Sequence, residues 1–78
     1  MREKRLQLII TFHTTAGAMA MDKLCRQSGL KGRLIPVPRQ LSAGCGMAWC
    51  APVEERHRLR DAVGAAGLNV DDYYEMMV

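Results

Sequence analysis

Seventy-eight residues, 49% of them hydrophobic, make a single domain spanning residues 1–78 and exclude a disordered tail. The formal charge of +3, from 11 Lys/Arg against 8 Asp/Glu, owes part of its excess to the opening MREKR, read as a flexible, solvated terminus over residues 1–5. Tyr73 and Tyr74 lie far from that start and the chain has one Phe and one Trp, so no basic stripe carries aromatics for stacking bases, and nucleic acid is not an expected partner.

Residues 6–12, LQLIITF, alternate Leu6, Leu8, Ile10 and Phe12 with Gln7, Ile9 and Thr11, the period of a half-buried strand. The apolar part of this opening is too short for a signal core, contains Gln7, and is followed by no small-residue cleavage site. No apolar run approaches the ~20 residues of a membrane span. The cytoplasm is therefore the expected compartment, where three cysteines stay reduced unless they do chemistry.

His13-Thr14-Thr15 breaks the strand, and Thr14 or Thr15 can cap a helix over AGAMAMDKLCRQS. Met21, Leu24, Cys25 and Ser28 share one face of it, and Gly29 is a natural stop. Residues 32–37, GRLIPV, read as a second strand, placed at a sheet edge because Pro36 cannot donate to a ladder. Pro38 to Gly46 is loop. MAWCA forms a third strand, with Met47, Trp49 and Ala51 on one face and Ala48 and Cys50 on the other. Pro52, Glu54 and Glu55 suit the start of a second helix with Leu59, Ala62, Val63 and Ala66 as its apolar stripe and Gly67 as its end. LNVDDYYEMMV supplies a fourth strand, its alternation disturbed by a bulge around Asp71 and Asp72.

The order βαββαβ is two split βαβ units: an α+β, ferredoxin-like two-layer sandwich, with two helices on one face of a four-stranded antiparallel sheet. In that topology the ends of the first two strands lie at one edge of the sheet. The third strand pairs antiparallel with the first, so Cys45-Gly46 is expected near His13 and the first helix's N-terminus.

That placement bears on Cys45, set between Gly44 and Gly46. A thiol near ~8.5 falls to ~3.5–7.5 beside a helix N-terminus or a cation. The helix start at Thr14-Thr15, Arg39 and His13 are the expected influences, and the two glycines allow backbone N–H groups to turn inward as an anion nest. The bland reading makes Cys45 a tight turn only. Cys25, on the apolar helix face, reads as core. Cys50 is an odd five residues from Cys45, which in a regular strand sets the sulfurs on opposite faces, ~16 Å apart along the chain, so neither a disulfide nor a shared metal is expected. His57, in ERHRLR, reads as exposed. The six methionines read as core filling rather than metal ligands, and no metal site is expected.

With these residues in hand, the sequence resembles the small selenium/sulfur carrier-like proteins, a family named as a domain of unknown function. The resemblance runs from about Leu8 to Tyr74 and rests on TFHTT, RLIPVPRQLSAGCGMA and LNVDDYYE. By the family pattern His13 and Thr14 match the strand exit, Pro36, Pro38, Arg39 and Ser42 the loop, and Cys45 and Gly46 the cysteine turn. The resemblance implies a carrier whose Cys45 bears a transient persulfide or its seleno equivalent, with no resident cofactor. A donor enzyme, such as a pyridoxal-phosphate desulfurase or lyase, would load it and an acceptor enzyme would unload it. Cys45 and His13 would act chemically; Thr14, Thr15, Arg39, Ser42, Gly44 and Gly46 would hold the loaded anion. Such a chain is a carrier more than a complete enzyme. The alternative is a non-catalytic interaction or small-ligand sensing module; a dithiol redox protein is weaker, because no C-x-x-C pair is present. Homodimerisation stays open, as does sulfur against selenium.

Overall fold

A computed structural model describes residues 4–41 and 46–78. The elements are β1 (Leu6–Thr11), α1 (Thr15–Ser28), β2 (Arg33–Pro36), β3 (Met47–Pro52), a 3-10 turn (Val53–Glu55), α2 (Arg56–Ala66) and β4 (Asp72–Met77). They form one sheet in the order β2-β3-β1-β4. Every neighbouring pair is antiparallel. Ala18, Met21 and Cys25 of α1 share one buried cluster with Leu59 and Val63 of α2 and with Leu8, Ile10, Trp49 and Ala51 of the sheet. Both helices therefore cover the same face, and the fold is the expected ferredoxin-like sandwich.

β1 is central, and its alternation understates its burial. Leu8 and Ile10 face the helices, but Ile9 and Thr11 on the other face are equally inaccessible, at 0% exposure. A second apolar cluster covers Ile9: Ile9, Ala48 and Cys50 pack with Ile35, Val37, Leu41, Tyr74, Met76 and Val78. Val37 and Leu41, after β2, thus lie on the face the helices leave open. Each Leu or Ile so buried contributes about 1.5–3 kcal/mol, which matters in a chain of this size.

The edges follow from local chemistry. Val37 N–H donates inward to the Gly46 carbonyl at 3.0 Å. Its neighbour Pro36 therefore occupies an outward position, where a missing N–H breaks no ladder bond. At the other edge Arg5 and Val78 exchange two backbone hydrogen bonds of 3.1 and 3.0 Å. Arg5, expected within the loose terminus, is thus tied to the sheet, and Val78, Met76 and Tyr74 take the inward positions of this edge. At its far end Thr11 is the partner of Asp72, yet its carbonyl accepts from Asp71 N–H at 2.7 Å. Two aspartates oppose one threonine, which is the expected bulge.

Thr14, extended at φ −137° and ψ 158°, caps α1: its hydroxyl accepts from Gly17 N–H at 3.1 Å. Gly29 ends the helix in the left-handed region. Of the expected α1 face, Met21 and Cys25 are buried and Leu24 half-buried, but Ser28 is exposed and Ala18 takes its place in the core. The seam ends a turn early because the chain leaves for β2 at Gly29. Pro52 closes β3 rather than opening α2, and the 3-10 turn intervenes. In α2 Leu59 and Val63 are buried, whereas Ala66 is exposed at the final turn. Among the methionines Met21 is core, but Met19 and Met77 are 64% and 54% exposed, so the core-filling reading holds only in part.

Candidate functional site

The β1–β3 ladder ends at Thr11↔Ala48. Residues leaving β1 and residues entering β3 consequently lie at one end of the sheet. Three features meet there: His13, the N-terminus of α1, and the base of the β2–β3 connection, closed by Val37 and Gly46. Gly46 is exposed with φ +73°, the left-handed conformation that its lack of a side chain permits. Cys45, Ser42 and Gly44 lie outside the described residues, so the expected approach of Cys45 to His13 does too.

The described part of the loop is built by a turn. Leu41 N–H donates to the Pro38 carbonyl at 2.9 Å, leaving Arg39 and Gln40 exposed at its crown. Leu41 itself packs on the second apolar cluster. The α1 N-terminus is open to an anion: the cap satisfies Gly17, and Ala18 N–H reaches the Thr14 carbonyl at 3.3 Å. The N–H groups of Thr15 and Ala16 then have no helical partner, and no acidic residue stands in the first turn. Thr14 and Thr15 are exposed.

One residue at this end escaped the sequence reading. His13 Nε2 lies 3.7 Å from Asp71 Oδ1. Asp71 Oδ2 accepts from the buried Thr11 hydroxyl at 3.2 Å, a hydroxyl that also lies 3.5 Å from the Asp72 carbonyl. Asp71 is 58 residues from His13 in sequence, and only the expected bulge within LNVDDYYE marked it.

The other two cysteines are free and buried. Burial, with Asp22 adding to it, pushes the Cys25 thiol up to about 11. Burial also raises Cys50, against an opposing contribution from Arg33. Burial raises Tyr73 as well, partly offset by Arg60, whose guanidinium sits 4.9 Å from the ring centroid. An unfolded thiol loses its proton from about 9, while folded Cys25 keeps its own to about 11. The unfolded state binds fewer protons in that window, so stability falls as pH rises through it. Urea titrations are expected to show this contribution intact to about pH 8 and reduced by about 2 kcal/mol at pH 11, at ~1.4 kcal/mol per unit. In Cys25→Ala that alkaline decline becomes shallower, whatever the variant's stability at neutral pH.

Sizeable clefts lie elsewhere. One of about 410 Å³ runs between Arg26 of α1 and Leu34 of β2, and one of about 340 Å³ lies beside Leu6 and Pro52. Among the described residues no three His, Cys, Asp or Glu side chains are grouped to hold a metal ion, and no helix is long and apolar enough to cross a membrane.

Residues 7–75 match the family model described as "Putative Se/S carrier protein-like". The chain is also 35% identical over 52 residues to "Uncharacterized protein YtiA" of Escherichia coli (strain K12). That match spans 63% of this chain and 61% of the relative. No solved structure matches the chain.

Proposed function

Because the chain belongs to the Se/S carrier protein-like family, we propose that it carries sulfur or selenium as a chalcogen atom bound to Cys45. The supporting observation is the meeting of three features at one end of the sheet: His13, the open α1 N-terminus and the Val37–Gly46 loop base. Cys45 is bonded to the last of these through Gly46.

In loading, the Cys45 thiolate attacks the terminal sulfur of a donor's persulfide. A new S–S bond forms on Cys45, the donor's S–S bond breaks, and the donor cysteine leaves as a thiolate. No external oxidant or reductant is needed. Unloading is the reverse step with an acceptor nucleophile, which takes the terminal atom and releases the Cys45 thiolate. A persulfide is more acidic than its parent thiol, so the loaded form is an anion at neutral pH. Arg39 and the Thr15 and Ala16 N–H groups supply positive potential for it. Each helix-end contribution is about 0.3–1 kcal/mol when exposed, so several must act together. His13 manages the proton. The donor and acceptor are proteins of the cytoplasm on this reading, and the chain is a carrier without a complete reaction of its own.

Incubation with a cysteine desulfurase and cysteine is expected to add one sulfur mass to the wild type and none to Cys45→Ser, read by intact-mass spectrometry. Arg39→Ala should hold the adduct for a shorter time against a competing thiol. No adduct from any sulfur or selenium donor would sink the carrier and leave the interaction module, with Cys45 as a turn residue.

A further inference from the structure

We propose that Asp71 is the positioning residue for His13, holding the Nε2 edge of the ring toward its carboxylate and leaving Nδ1 as the basic nitrogen. The proposal deepens the carrier reading and rests on it for the consequence at Cys45.

The carboxylate is fixed before it meets the imidazole. Asp71 N–H donates to the Thr11 carbonyl at 2.7 Å, and Asp71 Oδ2 accepts from the Thr11 hydroxyl. Thr11 is fully buried, so both tethers start from the central strand. The preceding segment is docked as well. A side chain on Gly17 would stand 3.1 Å from the Asn69 carbonyl, so this small residue lets Asn69 lie against α1. The bulge is what turns Asp71 to this end of the sheet.

His13 is held from both sides. Phe12 before it is fully buried, and Thr14 after it is the α1 cap. What remains free is the ring, and Asp71 Oδ1 faces its Nε2 at 3.7 Å. Among the described residues no group partners Nδ1. The motifs TFHTT and LNVDDYYE, at opposite ends of the chain, therefore meet at an acid–imidazole pair as well as through the Thr11 tethers. A carboxylate accepts only, so its charge, 3.7 Å from Nε2, biases the neutral ring toward the tautomer with the proton on Nε2 and leaves the Nδ1 lone pair as the basic site.

Asp71→Asn tests this and separates positioning from support. An asparagine oxygen still accepts from Thr11, which keeps the tether. The group then facing His13 is an NH₂ donor, which favours the opposite tautomer. Nitrogen chemical shifts of the neutral imidazoles are expected to report Nε2–H for wild-type His13 and a move toward Nδ1–H in Asp71→Asn, with exposed His57 unchanged as the internal reference. Iodoacetamide kinetics supply the second reading. Asp71→Asn and His13→Ala should each slow Cys45 alkylation about tenfold, the effect of one unit in thiol acidity, and the double variant should be no slower than either. His13 shifts that ignore Asp71→Asn, or additive losses in the double variant, overturn the proposal. The absence of a sulfur adduct sinks the carrier alone, since the tautomer reading needs no sulfur donor.

Discussion

In native protein at pH 7, iodoacetamide is expected to consume Cys45 and leave Cys25 and Cys50 unmodified over the same interval. The thiolate is the reacting species, so the order follows from ionisation and access. With its thiol pushed up to about 11, Cys25 is ionised in roughly one molecule in ten thousand at pH 7. A thiol near 8.5 is ionised in a few per cent, already a difference of about 300-fold, and the positive surroundings proposed for Cys45 widen it. Burial acts in the same direction: Cys25 and Cys50 are 1% and 7% exposed. Peptide mapping of the alkylated protein reads the order directly. Equal rates at the three cysteines in folded protein would remove the distinction between core thiols and a working one. Denaturation before labelling should abolish the order, because it returns all three to solvent.

The second large effect is on stability. Gly32→Ala is expected to cost about 3 kcal/mol, on the scale of overpacking added to backbone strain. Gly32 has φ +129°, and an added Cβ would stand 2.3 Å from Trp49 Nε1, 2.7 Å from Trp49 Cε2 and 2.8 Å from the Cys50 carbonyl. The indole is 2% exposed, and its N–H donates to the Lys31 carbonyl at 3.4 Å, so it cannot withdraw freely. Against a total of about 5–15 kcal/mol for a small domain, such a loss is a large fraction. Gly29→Ala is the control. Gly29 has φ +70° with nothing within 4 Å of an added Cβ, so only the left-handed penalty of about 1–2 kcal/mol applies. Urea unfolding followed by Trp49 fluorescence separates the two, and equal losses would refute the packing explanation.

The strands and the antiparallel partnership of β1 with β3 were legible because alternation in LQLIITF and MAWCA is strong and Pro36 marks an edge. The cap at Thr14 and the stop at Gly29 were legible for the same reason: each is local chemistry. What period two could not reveal was the burial of Ile9 and Thr11. Ile9 is covered by Val37, Leu41 and β4, and Thr11 is bonded to Asp71, all residues distant along the chain. Ser28 and Ala66 were misplaced on apolar stripes because periodicity continues past the point where a helix leaves its sheet. At the candidate site, Thr14, Arg39 and Gly46 could be named from residue type and spacing. Asp71 could not, since its meeting with His13 depends on which strand lies beside β1 and on a one-residue bulge.

The unequal edges of the sheet limit how copies of the chain can assemble. On β2 the outward positions are Leu34 and Pro36, so a single N–H is offered along the strand. On β4 the outward N–H of Tyr73 is already taken by the Asp72 carboxylate at 2.8 Å, which leaves Glu75 and Met77 as donors. Strand addition from one copy to the next around an open fibre would use one edge of each type, and the proline edge interrupts it. Association through β4 alone joins like to like across a two-fold axis and is complete at two chains. A sheet with one competent side can close into a pair but has no second side from which to polymerise.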